Sequence, residues 1–361
     1  MNHIFTGNVG GHMEKNFSVS QLPAPLQDFY AVIQNDLTEV ESLLKDFLQS
    51  DSPFIHQVAG HGFRLGGKRM RPALHLLFAR MTGKILPIHH VIGAVLETIH
   101  TASLVHDDIL DDAQQRRHLP TVNAVWNNET SVLMGDFMVA RAMLAVAQLN
   151  DPMVNRIVAE TSCRLCEGEM RQVGSRGRFD LTEEVYEAII TGKTAALFEC
   201  GCRLGVLCAL HPDAETSQIA SALPDSDDPR IKSAARFGRH LGMAFQIADD
   251  LLDILGDEAQ MGKTLGSDLA KQKLTLPMIR LFRAMAPADR AALEDEIRNR
   301  LETATYAKIR TLLGEFGIYD SVRASAIEHI RTAVEYLDVF PNSDAKRAVK
   351  GFADYAIQRQ Q

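Results

Sequence analysis

The sequence predicts an all-α protein, and three observations support this prediction. Several long stretches are apolar on nearly every face, as are helices that lie buried among other helices. The alternating apolar and polar pattern of half-buried strands is absent. The breaks between the apolar stretches are short, and none resembles a linker. We therefore expect a single domain over residues 18–361, preceded by a disordered extension over residues 1–17.

Helix signals begin at about residue 24 and continue along the chain. The pattern of a buried helix is strongest in four stretches, at residues 91–108, 131–149, 186–210 and 234–255. Turn-forming residues predict breaks at residues 83–87, 149–152, 223–230 and 256–268. Capped helix starts are predicted within residues 286–297 and 341–352.

Composition and charge exclude some functions. The chain has 361 residues, of which 46% are hydrophobic, enough for a sizeable core. Its formal net charge of −8 argues against a general nucleic-acid-binding protein. No run of roughly 18 uninterrupted apolar residues is present, so no transmembrane helix is expected. The N-terminus lacks the basic and apolar regions of a signal peptide, which favours a cytoplasmic location.

The five cysteines favour the same compartment, because an odd number without an export signal is typical of reduced thiols. Cys163 and Cys166 form a C-x-x-C pair. A metal site is the less favoured interpretation, since no second pair of matching spacing exists and the segment is helix-like. We predict that both are ordinary buried thiols.

Two clusters of aspartates stand at the ends of apolar stretches, in LVHDDILDD (104–112) and IADDLLD (247–253). Residues four apart share a helix face, so Asp107 lies above Asp111 and Asp249 above Asp253. If the two rows faced each other, their oxygens would line a cleft suited to Mg²⁺. Solvated helix ends are the alternative, but the pattern occurs twice. Carboxylates at a helix C-terminus also oppose the helix dipole, so nearby cations are expected.

Candidate cations are found in several short motifs. They are Lys68, Arg69, Arg71, Arg116, Arg117, Lys193, Lys263 and Lys273. A ligand that needs both a metal and cationic side chains is a diphosphate, whose oxygens arginine contacts in a bidentate manner.

These motifs, taken together, resemble those of the trans-isoprenyl diphosphate synthases, in particular the long-chain polyprenyl diphosphate synthases. The resemblance runs over roughly residues 24–340, through GGKRMRP, ETIHTASLVHDDILDD, RRHLPT, SVLMGDFM, EGEMRQ, GKTAALF, FQIADDLLD, GKTLGSDL and KLTLP. Two departures are small. His118 stands where the family usually has Gly after the arginine pair, and Gln272 replaces the usual Gly before Lys273.

The resemblance implies an isoprenoid synthase fold, with helices around a deep central cavity, and a homodimer. It also implies that Asp107, Asp111 and Asp249 hold Mg²⁺, about three ions per site, on an allylic diphosphate. The remaining aspartates that it implies as metal ligands are Asp108, Asp250 and Asp253.

The resemblance further implies which side chains bind each substrate. Those implied for the allylic diphosphate are Arg116, Lys193 and Lys263. Those implied for isopentenyl diphosphate are Lys68, Arg71, His100 and Arg117, and Lys273 is a further substrate-binding residue. Thr194 and Gln246 would steady the reacting carbocation through their oxygens.

Chain length is expected to depend on the helix that leads to Asp107. Five positions earlier stands Ala102, where short-chain relatives generally carry an aromatic residue, and Ser103 is beside it. Because a helical turn rises roughly 5.4 Å, similar to an isoprene unit, each turn without bulk admits about one more unit. Ile99 is a moderate obstacle, with Val95, Met138 and Met143 as deeper ones. We expect a product of about C35–C50, centred on octaprenyl, unless Ala102 merely allows close helix packing.

Three alternatives remain. A terpene cyclase would leave GGKRMRP, the second aspartate row and Arg117 unexplained. A non-catalytic partner subunit of a heteromeric synthase would be expected to lose aspartates, and both clusters are whole. A short-chain synthase, making farnesyl or geranylgeranyl diphosphate, differs only in product length.

Overall fold

The computed structural model describes residues 19–64, 67–211, 228–255, 266–299 and 301–358, and it confirms the all-α class. The first ten helices are α1 (Ala24–Ala31), α2 (Gln34–Phe47), α3 (Pro53–Arg64), α4 (Met70–Thr82), α5 (Pro87–Leu110), α6 (Val122–Val125), α7 (Asn128–Gln148), α8 (Pro152–Gly174), α9 (Glu183–Ile190) and α10 (Ala196–Leu210). They are followed by α11 (Pro229–Leu255), α12 (Ser267–Ala270), α13 (Leu276–Ala284), α14 (Pro287–Asn299), α15 (Thr303–Glu315), α16 (Ile318–Glu335) and α17 (Asp344–Gln358).

Two hydrophobic clusters share helix α11. In the larger cluster, α5 packs against α4 and α7, while α10 packs between α4 and α11. Phe78, Phe198 and Phe237 are fully buried there. The second cluster joins α9 and the end of α11 to α13, α14, α15 and α16. Because α11 belongs to both clusters, its aspartate-bearing end is fixed from two sides.

The predicted breaks before α5 and α8 are confirmed. Helix α5 begins at Pro87 and α8 begins at Pro152. Proline suits the first position of a helix, because the backbone N–H that it lacks would have no partner within the helix there. Asp151 caps α8, since its side chain accepts hydrogen bonds from the backbone amides of Met153 and Val154. Residues 1–17 and most of the predicted breaks at 223–230 and 256–268 lie outside the described residues.

The stretch 186–210 is helical throughout, as predicted, but it contains a turn wider than that of an α-helix. Helices α9 and α10 are joined by a π-helical turn, Thr191–Ala195, which we call the π segment. Such wider turns occur often at functional sites. Here the turn brings backbone against backbone, because a Cβ at Gly168 of α8 would overlap the backbone nitrogen of Lys193. At Gly192, a Cβ would lie 2.8 Å from the carbonyl oxygen of Arg164. The two glycines therefore set how closely α8 approaches the π segment.

A two-stranded hairpin follows α5 and was not predicted. Its strands, β1 (Gln115–Arg116) and β2 (Leu119–Pro120), pair antiparallel. The two turn residues, Arg117 and His118, have φ of 53° and 63°, as a type I′ turn requires. Gln272 also has a left-handed φ of 54°. Both positions where this chain departs from the usual glycine are thus left-handed, which explains the preference for glycine there.

Backbone conformations of this kind gather in one region. Among the described residues, the non-glycine residues with positive φ are Arg69, Asp112, Arg117, His118, Asn150 and Gln272. All but Asn150 lie next to an aspartate cluster or to one of the cationic motifs. Left-handed φ costs an L-residue roughly 1–2 kcal/mol. Backbone strain is therefore concentrated at one end of the helical bundle.

Helices α5 and α7 are long and apolar enough to cross a membrane by length and composition alone. The windows that meet this test are 67% buried in α5 and 39% buried in α7. A core helix passes the same test, and the two helices pack extensively against each other. The less buried α7 exposes Leu133 and Leu144 to solvent.

The prediction of buried thiols at the C-x-x-C pair was wrong. Cys163 and Cys166 are both exposed on α8, whereas Cys200, Cys202 and Cys208 are buried in α10. The pair lies on the outer face of α8, away from the side on which Gly168 meets the π segment. A helical pattern alone does not reveal which side of a helix is covered.

Candidate active site

The first aspartate row lies at the C-terminal end of α5, and each of its carboxylates contacts a cation. Asp107 and Asp111 are half-buried and share one face, whereas Asp108 is only 1% exposed. The three ion pairs are Asp107–Lys193 at 3.4 Å, Asp108–Arg116 at 2.7 Å and Asp111–Lys273 at 2.6 Å. The expected cations are therefore supplied by the hairpin, the π segment and the chain before α13.

Lys193 lies at the centre of an acidic pocket. Its Nζ is 2.5 Å from a carboxylate oxygen of Glu169 and donates to Gln172 at 2.8 Å. Burial alone lowers the pKa of Lys193, but the carboxylates of Asp107 and Glu169 outweigh it, so the pKa is raised. Burial and the charge of Asp107 raise the pKa of Glu169. Lys193 is a fixed cation between two carboxylates.

The second aspartate row lies at the C-terminal end of α11 and contains one half-buried and two buried carboxylates. Asp249 is half-buried, while Asp250 and Asp253 are 4% and 1% exposed. A carboxylate oxygen of Asp253 accepts the backbone N–H of Asp268 at 3.2 Å. Burial and the charge of Asp268 raise the pKa of Asp250 to about 7. Asp249 is the member of this row with the greatest access to a ligand.

Hydrogen bonds connect the second row to the π segment. The Thr194 hydroxyl donates to Gln246 Oε1 at 2.6 Å, and Gln246 Nε2 donates to Asp250 Oδ1 at 2.7 Å. The neighbouring Lys193 contacts Asp107 of the first row. The π segment thus contacts the first row directly through Lys193 and is connected to the second row through Gln246.

A small cavity lies between the π segment and the second aspartate row. This cavity of about 20 Å³, room for roughly one water molecule, is lined by Lys193, Gln246, Asp250 and Lys273, among others. Both lysines that line this cavity contact carboxylates of the first row.

A cationic cluster, formed by Lys68, Arg71 and Arg117 with the neighbouring His100, lies where α4 meets α5 and the hairpin. The Arg71 guanidinium lies 4.5 Å over the ring of Phe198, and burial lowers its pKa to about 10 although Glu97 and Asp249 oppose the shift. Burial, followed by the charges of Arg71 and Arg117, lowers the pKa of His100 well below its usual value. His100 is therefore neutral among arginines.

Lys68 is held by aromatic residues from both ends of the chain. Its Nζ donates to the Tyr355 hydroxyl at 3.0 Å and lies 5.2 Å from the centre of that ring. The Tyr30 hydroxyl donates to the Lys68 carbonyl oxygen at 2.5 Å. Helices α1 and α17 therefore hold Lys68 from both sides.

Arg69 was counted among the cations available to a diphosphate, and the structure buries it instead. Its guanidinium donates to Glu41 at 2.6 Å and to Glu97 at 3.1 Å, and the residue is 5% exposed. The left-handed φ of Arg69 turns this side chain into the bundle while its neighbours remain near the cleft. Arg69 therefore forms structural ion pairs with Glu41 and Glu97.

Several site residues were missed from sequence. Glu169 and Gln172 contact Lys193, yet EGEMRQ was only quoted as a motif; their spacing of three places them on one helix face. Tyr186, which donates to Asp250 at 2.6 Å, gave no signal beyond its place in an apolar stretch. Lys263 lies outside the described residues.

The aspartate oxygens fit a magnesium ion in chemical type, because Mg²⁺ prefers carboxylate and water ligands. Among the described residues, no three His, Cys, Asp or Glu side chains are grouped closely enough to hold a metal. The first row offers the half-buried carboxylates of Asp107 and Asp111, and the second row offers that of Asp249. Asp108 has a buried oxygen without a hydrogen-bond partner.

Residues 52–313 match the model of a known family, described as polyprenyl synthetase. The matched region contains both aspartate rows, the π segment and the cationic cluster. The chain belongs to the polyprenyl synthetase family. The resemblance found in the sequence is thereby confirmed, and the protein is a prenyltransferase. Enzymes of this family depend on Mg²⁺ in general.

Two relatives and one solved structure illustrate the similarity. The chain is 32% identical to the all-trans-nonaprenyl-diphosphate synthase (geranyl-diphosphate specific) of Rhodobacter capsulatus, over 92% of this chain and 98% of that one. It is 32% identical to the octaprenyl diphosphate synthase of Escherichia coli K12, over 92% and 99%. A polyprenyl synthase from Caulobacter crescentus, solved with calcium and isoprenyl diphosphate, superposes with a TM-score of 0.84 at 30% identity, covering 97% and 100%.

Other relatives differ in the products they are named for. One is component 2 of the heptaprenyl diphosphate synthase of Geobacillus stearothermophilus, 33% identical over 92% of this chain. Another is a short-chain isoprenyl diphosphate synthase of Methanothermobacter thermautotrophicus, 34% identical over 83%. Relatives of similar identity are therefore named for products of different length.

The contact between α8 and the π segment gives a testable prediction. Gly168→Ala places a methyl group on the backbone of Lys193, so the free energy of unfolding should fall by about 1–3 kcal/mol. Displacing Lys193 by about 1 Å should lower turnover about 100-fold. Unfolding in denaturant and steady-state kinetics measure the two effects.

Gly174→Ala is the matched control for this prediction. It lies in the same helix, and a Cβ there would meet nothing within 4 Å. Its stability should remain within about 1 kcal/mol of wild type. Equal turnover in the two variants would contradict the role given to the Gly168 contact.

Proposed function

We propose that the protein is a long-chain all-trans-polyprenyl diphosphate synthase, which adds isopentenyl diphosphate successively to an allylic diphosphate. The observation that carries this proposal is the pairing of two aspartate rows, connected by the π segment, with a separate cationic cluster. Two rows with one cluster match a reaction that has two diphosphate substrates, one activated by metal and one held by cations alone.

In this proposal, the leaving diphosphate lies between the rows. Asp107, Asp111 and Asp249 would hold Mg²⁺, three ions in all, with the buried carboxylates of the rows supporting them. The metal supplies Lewis-acid stabilisation of the leaving group. Lys193 and Arg116 would add fixed positive charge, and Lys263 and Lys273 would assist. Their charges are held in place before the reaction, so no reorganisation is needed when the C–O bond breaks.

Isopentenyl diphosphate would bind to the cationic cluster. Lys68, Arg71 and Arg117 would contact its diphosphate, and the neutral His100 would donate a hydrogen bond without adding charge. Heterolysis of the allylic C–O bond leaves a carbocation, and the diphosphate departs with the electron pair. The alkene of isopentenyl diphosphate then forms the new C–C bond, and the resulting cation loses a proton to the released diphosphate.

Thr194 and Gln246 would steady the carbocation through their oxygens. The Thr194 hydroxyl donates to Gln246 Oε1 at 2.6 Å, which holds the two side chains oriented. They would stabilise positive charge as it develops near the π segment.

The two rows give the first test of this function. Asp107→Asn and Asp249→Asn should each lower turnover by about 100-fold or more, because each removes a negatively charged metal ligand without changing side-chain volume. Asp112→Asn is the matched control, since this neighbouring aspartate is exposed and pairs with Lys271. Product formation from the purified chain is the measurement. Turnover close to wild type in either variant would overturn the metal assignment.

The same assay separates the enzyme from a non-catalytic subunit. A relative named as component 2 of a synthase leaves open a heteromeric assembly. Turnover by the purified chain alone would favour a self-sufficient enzyme. Activity that appears only with a second protein would favour the heteromer.

A long product, about C35–C50 with octaprenyl favoured, is supported by the residues before Asp107. Ala102 is small and fully buried, and it packs near Val105 and Met138 in a cluster with α3 and α7. Ser103 is half-buried on the same face as Asp107, four residues earlier. Ile99 is 4% exposed one turn further along α5, with Val95 deeper. Helix α5 itself carries no aromatic residue at positions 99, 102 or 103.

Ala102→Tyr should shorten the product toward C15–C20, because a ring would close the first turn of the route at about one isoprene unit per turn. Since Ala102 is tightly packed, Ser103→Tyr is a second variant whose half-buried position tolerates bulk. Ala307→Tyr, on an exposed face of α15, is the control. Product length is measured by chromatography after dephosphorylation. An unchanged distribution in both test variants would contradict this placement of the barrier, and a C15–C20 product from wild type would favour a short-chain synthase.

We also propose a homodimer and a cytoplasmic location. The dimer is supported by apolar side chains that α7 and α8 expose, which are Val132, Leu133, Leu144, Met170 and Val173. Met170 is 73% exposed, and with Cys163, Cys166 and Val173 it follows a three–four–three spacing on one helix face. Such a stripe is typical of a helix that packs against another chain. The product lipid would pass to a membrane.

Met170→Glu should convert the dimer to a monomer, because it places a charge in the proposed interface. Ile327→Glu, at an exposed apolar residue of α16, is the control and should leave the mass unchanged. Sedimentation gives the mass, and the reactivity of Cys163 and Cys166 toward a thiol reagent should rise in the monomer. A monomeric wild-type protein with fully reactive thiols would overturn the proposal.

A further inference from the structure

The buried hydroxyl of Tyr186 is directed at the second aspartate row. Tyr186 lies on α9, is 3% exposed and packs in the cluster that contains Ile247 and Leu251. Its hydroxyl donates to Asp250 Oδ2 at 2.6 Å. A buried tyrosine needs a partner for its hydroxyl, but a backbone carbonyl serves as well as a carboxylate. The choice of Asp250 therefore has a consequence for the row.

Both carboxylate oxygens of Asp250 are occupied by protein donors from different elements. Oδ2 accepts from Tyr186 on α9, and Oδ1 accepts from Gln246, one turn earlier on α11. A carboxylate held by two donors has no freedom to rotate toward a ligand. Asp250 is consequently a support, whereas the adjacent Asp249 is half-buried and accessible.

Tyr186 and Thr194 stand at either end of a continuous stretch formed by α9 and the π segment. Tyr186 reaches α11 through Asp250, and Thr194 reaches it through Gln246. Between them lies Lys193, which contacts Asp107 of the first row. The same stretch thus contacts the end of α11 at two points, Asp250 and Gln246, and the end of α5 at a third, Asp107.

We propose that Tyr186 is a positioning residue that sets the orientation of the second aspartate row relative to the first, by fixing Asp250 so that Asp249 faces the cleft. This inference rests on the proposed function, in which Asp249 binds a metal–diphosphate. Tyr186 touches neither substrate nor metal. Its effect is on how tightly the second row binds metal, because groups that orient a ligand typically change metal affinity about 10- to 100-fold.

Tyr186→Phe removes the hydroxyl and keeps the ring in its core, so it isolates this effect. Tyr319→Phe is the matched control, because the Tyr319 hydroxyl donates at 2.7 Å to a backbone carbonyl, that of Arg310, away from the site. Two readouts are needed. The first is binding of Mn²⁺ in the presence of inorganic pyrophosphate, followed by electron paramagnetic resonance. The second is the Mg²⁺ concentration for half-maximal turnover, with the KM for isopentenyl diphosphate and the thermal unfolding midpoint recorded alongside.

In Tyr186→Phe we expect Mn²⁺ affinity to fall about tenfold or more and the Mg²⁺ requirement to rise by a similar factor. The KM for isopentenyl diphosphate should stay within about twofold of wild type, since the cationic cluster is separate. Tyr319→Phe should match wild type in every readout.

Two results would overturn the inference. One is metal binding in Tyr186→Phe equal to that in Tyr319→Phe. The other is a parallel loss of metal binding, isopentenyl diphosphate binding and thermal stability, which indicates a structural role only. A wild-type protein that binds Mn²⁺ with pyrophosphate but forms no product would refute the proposed function, while the Mn²⁺ titration would still decide the role of Tyr186.

Discussion

The repulsion among carboxylates at the ends of two apolar helices is the constraint on which the rest of the site depends. Each end is also the negative pole of its helix dipole, so negative charge accumulates where it is least favourable. The protein offsets this in two ways. Lysines and an arginine pair with the row on α5, and burial with hydrogen bonding holds Asp250 and Asp253 on α11. The elements that supply these partners are brought together by the acidic rows they neutralise.

This arrangement divides the aspartates into two groups. Asp108, Asp250 and Asp253 are buried and engaged with the protein. Asp107, Asp111 and Asp249 keep partial access to the cleft. The buried group fixes where the helix ends lie, and the accessible group is the one that the proposed function assigns to the metal. A motif with two adjacent carboxylates serves both needs, because neighbouring residues on a helix point in different directions.

Much of the helical framework and the pairing of acid with base could be predicted from sequence. Apolar periodicity and the prolines at Pro87 and Pro152 mark helix boundaries well, because they act locally. The π segment could not be predicted, since it depends on two glycines, Gly168 and Gly192, that are far apart in sequence. The burial of Arg69 and the exposure of Cys163 depend likewise on which helices happen to cover them. Residue type and spacing do not contain that information.

The left-handed residues around the cleft affect how the molecule fluctuates. Arg117, His118 and Gln272 hold conformations that glycine would adopt without cost, whereas the core of α4, α5, α10 and α11 is densely buried. Local opening should therefore require less free energy at the rim than in the bundle, so that amide hydrogens there exchange with solvent well before global unfolding. An anionic ligand that binds these residues in their closed conformation would suppress this local opening by mass action. The residues around the cleft are therefore more easily opened than the helical core, and the cause is the positive φ of a few of these residues.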